Sequence, residues 1–141
     1  MWWLIIYIKL LIVFLLDDFL KQSKGLICRF SLKNPSFPEY VYNTVSGVMS
    51  VDVHPEYPNL LCAGFYDGTV GVYNSAEITQ KANIMSNAKN GKHTDPVWQV
   101  RWQKDDLDGN MNFFSVSSDG RVCRWTVVKV TKYYGKLKYI L

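Results

Sequence analysis

Short apolar runs punctuated by turn-forming pairs recur along most of this chain, and the clearest set lies between Lys92 and Trp125. A His-Thr-Asp-Pro-Val turn leads into an apolar strand over Val97–Trp102, and an acidic loop then closes on Asp108-Gly109. A second strand is predicted over 112–116, and Ser118-Asp119-Gly120 turns tightly into a third that ends on Trp125. Strands joined by Asp-Gly turns form a meander, the topology that local hairpins produce. One small meander has two apolar faces and cannot bury both, so it calls for neighbours of the same kind.

The same pattern stands upstream. Strands are predicted over 48–54, 60–64 and 69–74, with a turn at 55–58 and a tight Asp67-Gly68 turn, and Tyr73 stands where the later unit has Trp125. Val48 to Val97 is a step of 49, while Asp67 to Asp119 and Tyr73 to Trp125 are steps of 52, the acidic loop accounting for the difference. Before these units, 25–32 and 39–44 read as strands separated by Pro35 and Pro38, which interrupt a ladder. Tyr40 and Tyr42 share one face of the second of them and read as packing residues. Residues 82–88 are assigned the outer strand of the middle unit and 89–92 a turn. The fold class is therefore all-β, built from repeated antiparallel units.

The two ends differ from this pattern. Residues 1–16 are almost uninterruptedly apolar, broken by Lys9 and followed directly by Asp17-Asp18. As a helix, residues 2–16 would span about 22 Å, short of the ~30 Å hydrocarbon core. A signal peptide would need basic residues first and a small-residue cleavage site after, and neither is present. Residues 1–17 are read as a hydrophobic leader outside the repeated domain, with a packed helix or strand and a weak membrane anchor as the alternatives. Residues 130–141 form a basic, aromatic tail that can supply an outer strand to the last unit.

Four polar positions in the last unit carry specific chemistry. His93 precedes the first strand, Ser115 lies on the second, Asp119 is in the turn and Trp125 closes the third. A carboxylate can accept from an imidazole, the imidazole can reach a hydroxyl, and the hydroxyl can accept an indole N–H, so a buried polar line of this order satisfies itself. This quartet resembles that of a WD repeat, the unit of a β-propeller blade. The runs NPSFPEYVYNTVSGVMSVDVHPEYP (34–58) and SNAKNGKHTDPVWQVRWQKDDLDGNMNFFSVSSDGRV (86–122) are similar to the WD-repeat region of dynein intermediate chains, of the axonemal type in particular. The resemblance runs over about 18–129 and implies a partial propeller: a partial blade at 18–46, a degenerate blade at 47–91 and a WD blade at 92–129. In the degenerate blade Asp67 and Gly68 keep the turn, but Ala63, Tyr73 and Thr44 stand where the later unit has Ser115, Trp125 and His93.

Composition agrees with a piece of such a fold. The 141 residues, 48% hydrophobic and 15% aromatic, suffice for a core, yet at ~40–45 residues per blade they hold about three blades where a propeller needs four or more. The chain is accordingly read as a fragment. Its net charge of +4 is spread without a basic stripe, so nucleic acid is not an expected partner. Cys28, Cys62 and Cys123, odd in number and widely spaced, suit buried thiols in a reducing compartment better than a disulfide framework or zinc site. An EF-hand register on Gly109 would put Lys104 and Ser115 at ligand positions, so 105–109 reads as a solvated hairpin loop. His54, before Pro55, reads as a turn residue. No phosphate-binding glycine loop or metal motif is present, and no cofactor is expected. A hydrolase triad of His93, Ser115 and Asp119 would leave Trp125 idle and lacks a nucleophile elbow, so no enzyme is expected.

The resemblance implies a non-catalytic subunit of an axonemal dynein, in contact with the heavy chain, a second intermediate chain and light chains, in the cytoskeleton of the cilium. Alternatives are a cytoplasmic dynein intermediate chain or another WD-repeat adaptor, and a membrane-anchored WD-repeat protein relying on residues 1–16. No membrane association is expected under the main reading.

Overall fold

A computed structural model describes residues 11–16, 24–77, 81–130 and 133–140, with side chains described over 24–77 and 81–128. Every regular element among them is a strand apart from one short 3-10 turn, and the strands form three antiparallel sheets. The architecture is all-β and fits part of a β-propeller. Two compact units divide the chain, Met1–Val48 and Met49–Leu141.

The first unit holds β1 (Leu11–Leu16), β2 (Gly25–Phe30) and β3 (Tyr40–Thr44) in that order across one sheet. The apolar leader, for which helix stood among the options, is strand over Leu11–Leu16, paired residue for residue with β2 from Leu11↔Phe30 to Leu16↔Gly25. A run of Leu, Ile, Val and Phe suits a pleated surface as well as a helix, and an available strand edge decides between them. Residues 1–10 and the turn assigned to 18–23 lie outside the described residues. Tyr40 and Tyr42 do share a face: their rings stack at 6.5 Å, with the Arg29 guanidinium 5.3 Å from the Tyr40 ring.

In the second unit, apart from the boundary residue Val48, one sheet runs β4 (Val48–Val53), β5 (Leu60–Phe65), β6 (Val70–Asn74) and β7 (Ile84–Met85). The other runs β11 (Tyr133–Ile140), β10 (Val122–Val130), β9 (Met111–Ser117) and β8 (Val97–Trp102). Their hairpins share one register. Leu61 pairs with Tyr73 as Phe113 pairs with Trp125, and Ala63 pairs with Gly71 as Ser115 pairs with Cys123. The turns repeat too: Gly68 N–H donates to Phe65 O and Gly120 N–H to Ser117 O, each glycine in the left-handed region, at φ 83° and 80°. The step of 52 read along the chain is thus a step between equivalent backbone positions.

Most strands differ from their expected bounds by a residue or two, and two elements depart further. The third strand continues past Trp125 to Val130, because Thr126-Val127-Val128 favours extended backbone and β11 pairs alongside it, with a bulge at Val128/Lys129. The outer strand expected over 82–88 shortens to Ile84–Met85. Around it side chains take over from the ladder: Asn83 Oδ1 accepts the Asn74 N–H at 2.7 Å and Ser86 Oγ the Val70 N–H at 2.9 Å. Asn87 then caps a 3-10 turn over Ala88–Asn90.

The two sheets of this unit meet face to face. Leu60, Cys62, Val70, Val72 and Ile84 from the first bury against Val97, Val100, Trp102, Phe113 and Trp125 from the second, and each large apolar side chain fully removed from water contributes about 1.5–3 kcal/mol. Gly64 lets β8 approach, since a Cβ there would lie 2.5 Å from Val97 Cγ1. The open edge of β8 is closed by side chains of β4: Ser50 Oγ accepts the Val100 N–H at 3.2 Å and Asp52 Oδ2 the Trp102 N–H at 2.8 Å. No helix among the described residues is long and apolar enough to cross a membrane.

Candidate functional site

The sequence places His93 just ahead of β8, Ser115 in the middle of β9, Asp119 in the β9–β10 turn and Trp125 on β10, and the structure brings all four together. His93 Nδ1 lies 2.9 Å from Asp119 Oδ2, His93 Nε2 lies 2.7 Å from Ser115 Oγ, and the Trp125 indole N–H donates to Ser115 Oγ at 2.8 Å. The hydrogen bonds order themselves. Trp125 can only donate, so Ser115 accepts from it and gives its own hydrogen to Nε2, leaving Nδ1 to carry the hydrogen that Asp119 accepts. His93, Ser115 and Trp125 are buried.

Asp119 is the best-supplied acceptor. Burial works against its charge, but the Arg121 N–H, the Arg121 guanidinium, His93 and the Thr94 N–H outweigh that and hold its carboxyl well below the usual carboxylate range. The guanidinium reaches Oδ2 at 2.8 Å through Nη2, which also donates to Lys92 O at 3.0 Å. Cys123 Sγ lies 3.9 Å from His93 Nδ1. Arg121 and Thr94 were not singled out from the sequence. A basic residue two places after a turn Asp was the available signal for Arg121.

Ser115, His93 and Asp119 stand in the order of a catalytic triad, but Ser115 is buried and its Oγ already accepts the Trp125 indole N–H. The four side chains tie the strand entry, the central strand, the turn and the closing strand into one rigid line.

In the earlier repeat Asp67 keeps its turn role. Its Oδ1 accepts the Thr69 N–H at 3.0 Å and also the Thr69 hydroxyl, and its Oδ2 lies 3.7 Å from Lys92 Nζ. Gly68 passes so close to the next repeat that a Cβ would lie 2.2 Å from His93 O, and His93 N–H donates to Gly68 O at 3.2 Å. Tyr73, at the Trp125 position, is buried, opposite Leu61.

His54 is more than a turn residue. Its Nδ1 accepts the Glu56 and Tyr57 N–H groups, both at 3.2 Å, while Nε2 meets Asp105 Oδ1 at 3.3 Å and the ring packs edge-on to Trp102 at 4.8 Å. Asp105 therefore does not belong to a purely solvated loop: it is half-buried and anchors 103–110 to the preceding repeat. The rest of that loop is local, with Asp106 Oδ1 accepting the Asp108 and Asn110 N–H groups. Among the described residues no three His, Cys, Asp or Glu side chains converge as metal ligands. Cys28, Cys62 and Cys123 are buried and form no disulfide, and burial, followed by the neighbouring Asp52, pushes the Cys62 thiol well up.

No protein-family model matches the chain. Over 112 residues, 79% of its length, it is 63% identical to the ciliary dynein intermediate chain 2 of Heliocidaris crassispina. It is 57% identical to dynein axonemal intermediate chain 1 of Bos taurus over 112 residues, and 50% identical over a stretch of the same length to the 78 kDa intermediate chain of the flagellar outer arm dynein of Chlamydomonas reinhardtii. In each comparison the chain spans 16% of the relative's own length. Over these 112 residues the chain belongs with the dynein intermediate chains of cilia and axonemes, as a segment of that family.

Proposed function

We propose that this chain is a WD-repeat segment of an axonemal dynein intermediate chain, a non-catalytic subunit that scaffolds a dynein complex for microtubule-based ciliary movement. The observation that carries this reading is 63% identity over 112 residues to a ciliary intermediate chain. The buried line from Asp119 through His93 and Ser115 to Trp125 supports the blade assignment, since it supplies rigidity and offers no reactive atom to a ligand. On this reading 47–91 is a degenerate blade, 92–129 a WD blade and 18–46 part of a further one, while residues 1–17 lie outside the family domain. Its partners are the dynein heavy chain, a second intermediate chain and light chains, and its place is the axoneme.

Tagged protein expressed in ciliated cells tests this. Co-sedimentation with dynein heavy chain in the axonemal fraction, and joint release at high salt, is the expected result. Recovery with cytoplasmic cargo adaptors and absence from cilia would assign it to cytoplasmic dynein, and retention in alkali-washed membranes would favour an anchored protein.

A further inference from the structure

The turn that leads into His93 carries a reactive pair. Asn90-Gly91 is the only Asn-Gly sequence in the chain, every other asparagine being followed by a residue with a side chain. A glycine leaves its own backbone nitrogen unshielded by a Cβ and free to turn, so that nitrogen can attack the carboxamide before it. Asn90 and Gly91 are half-buried, and Asn87, Ala88 and Lys89 just ahead of them are exposed, so water reaches the pair. Asn74 and Asn112, by contrast, are buried.

The fold restrains this pair through one neighbour. Asn87 Oδ1 accepts the Lys89 and Asn90 N–H groups at 2.9 and 3.1 Å, and Asn90 Oδ1 accepts the Asn87 N–H at 2.6 Å, a reciprocal cap. The Asn90 carboxamide is thereby turned back toward the start of the 3-10 turn and fixed there. Cyclisation needs it free to swing toward Gly91 N, which breaks the cap. The residues that follow are held as closely: Lys92 N–H donates to Asn87 O, Lys92 O accepts from Arg121 Nη2, and His93 N–H donates to Gly68 O. A change of backbone length at 90–91 therefore reaches the shell of Asp119.

We propose that Asn90 is a site of spontaneous isoaspartate formation, and that Asn87 sets its rate by holding the Asn90 side chain in the cap. Gly91 N bonds to Asn90 Cγ and gives up its proton, the Cγ–Nδ2 bond breaks and ammonia leaves, closing a five-membered succinimide. Water then opens the ring. At Cγ it yields aspartate; at the Asn90 main-chain carbonyl it yields isoaspartate, whose backbone runs through Cγ and is one methylene longer. The step is neither oxidation nor reduction, and water is its one co-reactant. The inference goes beyond membership of a dynein and does not depend on it.

The full chain, incubated in mildly alkaline buffer and digested for mass spectrometry, tests this, with isoaspartate detected by an isoaspartyl methyltransferase and a labelled methyl donor. The expected result is an amide-to-acid mass gain confined to the fragment holding Asn90, methylated there, and faster in urea, where the cap is gone, than in the folded protein. Isomerisation at the Asp-Gly pairs of Asp67, Asp108 and Asp119 would also be methylated but leaves the mass unchanged. Asn87→Ala should quicken the folded-state reaction about fivefold, the shift that loss of such a cap gives, while Asn87→Asp, which keeps the acceptor, should stay near the wild-type rate. Asn90→Gln should abolish the gain over the same period, because attack would have to close a larger ring. An unchanged tryptophan emission spectrum would certify that each variant folds, and the comparison with urea needs no variant. A gain located at another asparagine, a folded rate equal to that in urea, or equal rates in wild type and Asn87→Ala would overturn the proposal.

Discussion

Asp52 Oδ2 accepts the backbone N–H of Trp102 at 2.8 Å, and the Trp102 indole N–H donates to Asp52 O at 3.0 Å, so two residues 50 apart in sequence hold two sheets together. The carboxylate closes a strand edge that would otherwise bury an unpaired amide.

Replacing Asp52 by Ala leaves that amide without its acceptor and should cost roughly 1–3 kcal/mol in urea unfolding, with Asp52→Asn losing less because an amide oxygen still accepts. Burial, against the opposing Trp102 N–H and Arg101, raises the Asp52 carboxyl. A raised folded pKa adds stability below the unfolded value of about 4 that is lost as pH climbs through the folded value. Asp52→Asn should therefore remove a decline in stability with rising pH, and unchanged slopes in the two proteins would contradict this.

Asp119 has the opposite sign. Its carboxyl is held far down, so its contribution is complete above the unfolded value of about 4 and fades as pH falls below it. Thermal melts between neutral and strongly acid pH should show Asp119→Asn converging on the wild type as the pH drops.

Within the polar line, Ser115→Ala strands both the Trp125 indole N–H and His93 Nε2, for a loss of roughly 1–3 kcal/mol. Trp125→Phe in the Ser115→Ala background should cost less than in the wild type, because the donor it removes has already lost its acceptor. A double-mutant cycle with zero coupling would dissolve the network into independent contacts.

Gly68 and Gly120 offer a matched comparison. Both have positive φ, but a Cβ at Gly68 would strike His93 O at 2.2 Å, whereas nothing lies within 4 Å of one at Gly120. Gly120→Ala should cost about 1–2 kcal/mol, the strain of the left-handed region alone. Gly68→Ala should cost clearly more, and equal urea midpoints would count against the close approach.

Much of this was readable along the chain because the signals are local. Asp67-Gly68 and Asp119-Gly120 mark turns whose positive φ only glycine adopts freely, and Val97–Trp102 has the bounds its apolar pattern suggests. The third strand runs past Trp125 to Val130 because Tyr133–Ile140 pairs beside it, and nothing local in the sequence announces that pairing. The role of His54 beyond its turn is hidden for a similar reason: its partner Asp105 sits 51 residues away.

The sequence by itself determined the strands, their turns and the 52-residue step, because side-chain alternation and glycine geometry act over a few residues. It also ordered His93, Ser115, Asp119 and Trp125 so that donors and acceptors could match. Only the tertiary structure decided that Arg121 completes the shell of Asp119, that Ser50 and Asp52 close the edge of β8, and that Arg101, Phe114 and Arg124 stand in one row across the β8–β10 strands. Those relationships depend on which strand lies against which, and burial of apolar area, which sets that choice, is summed over whole sheets and carries no local mark.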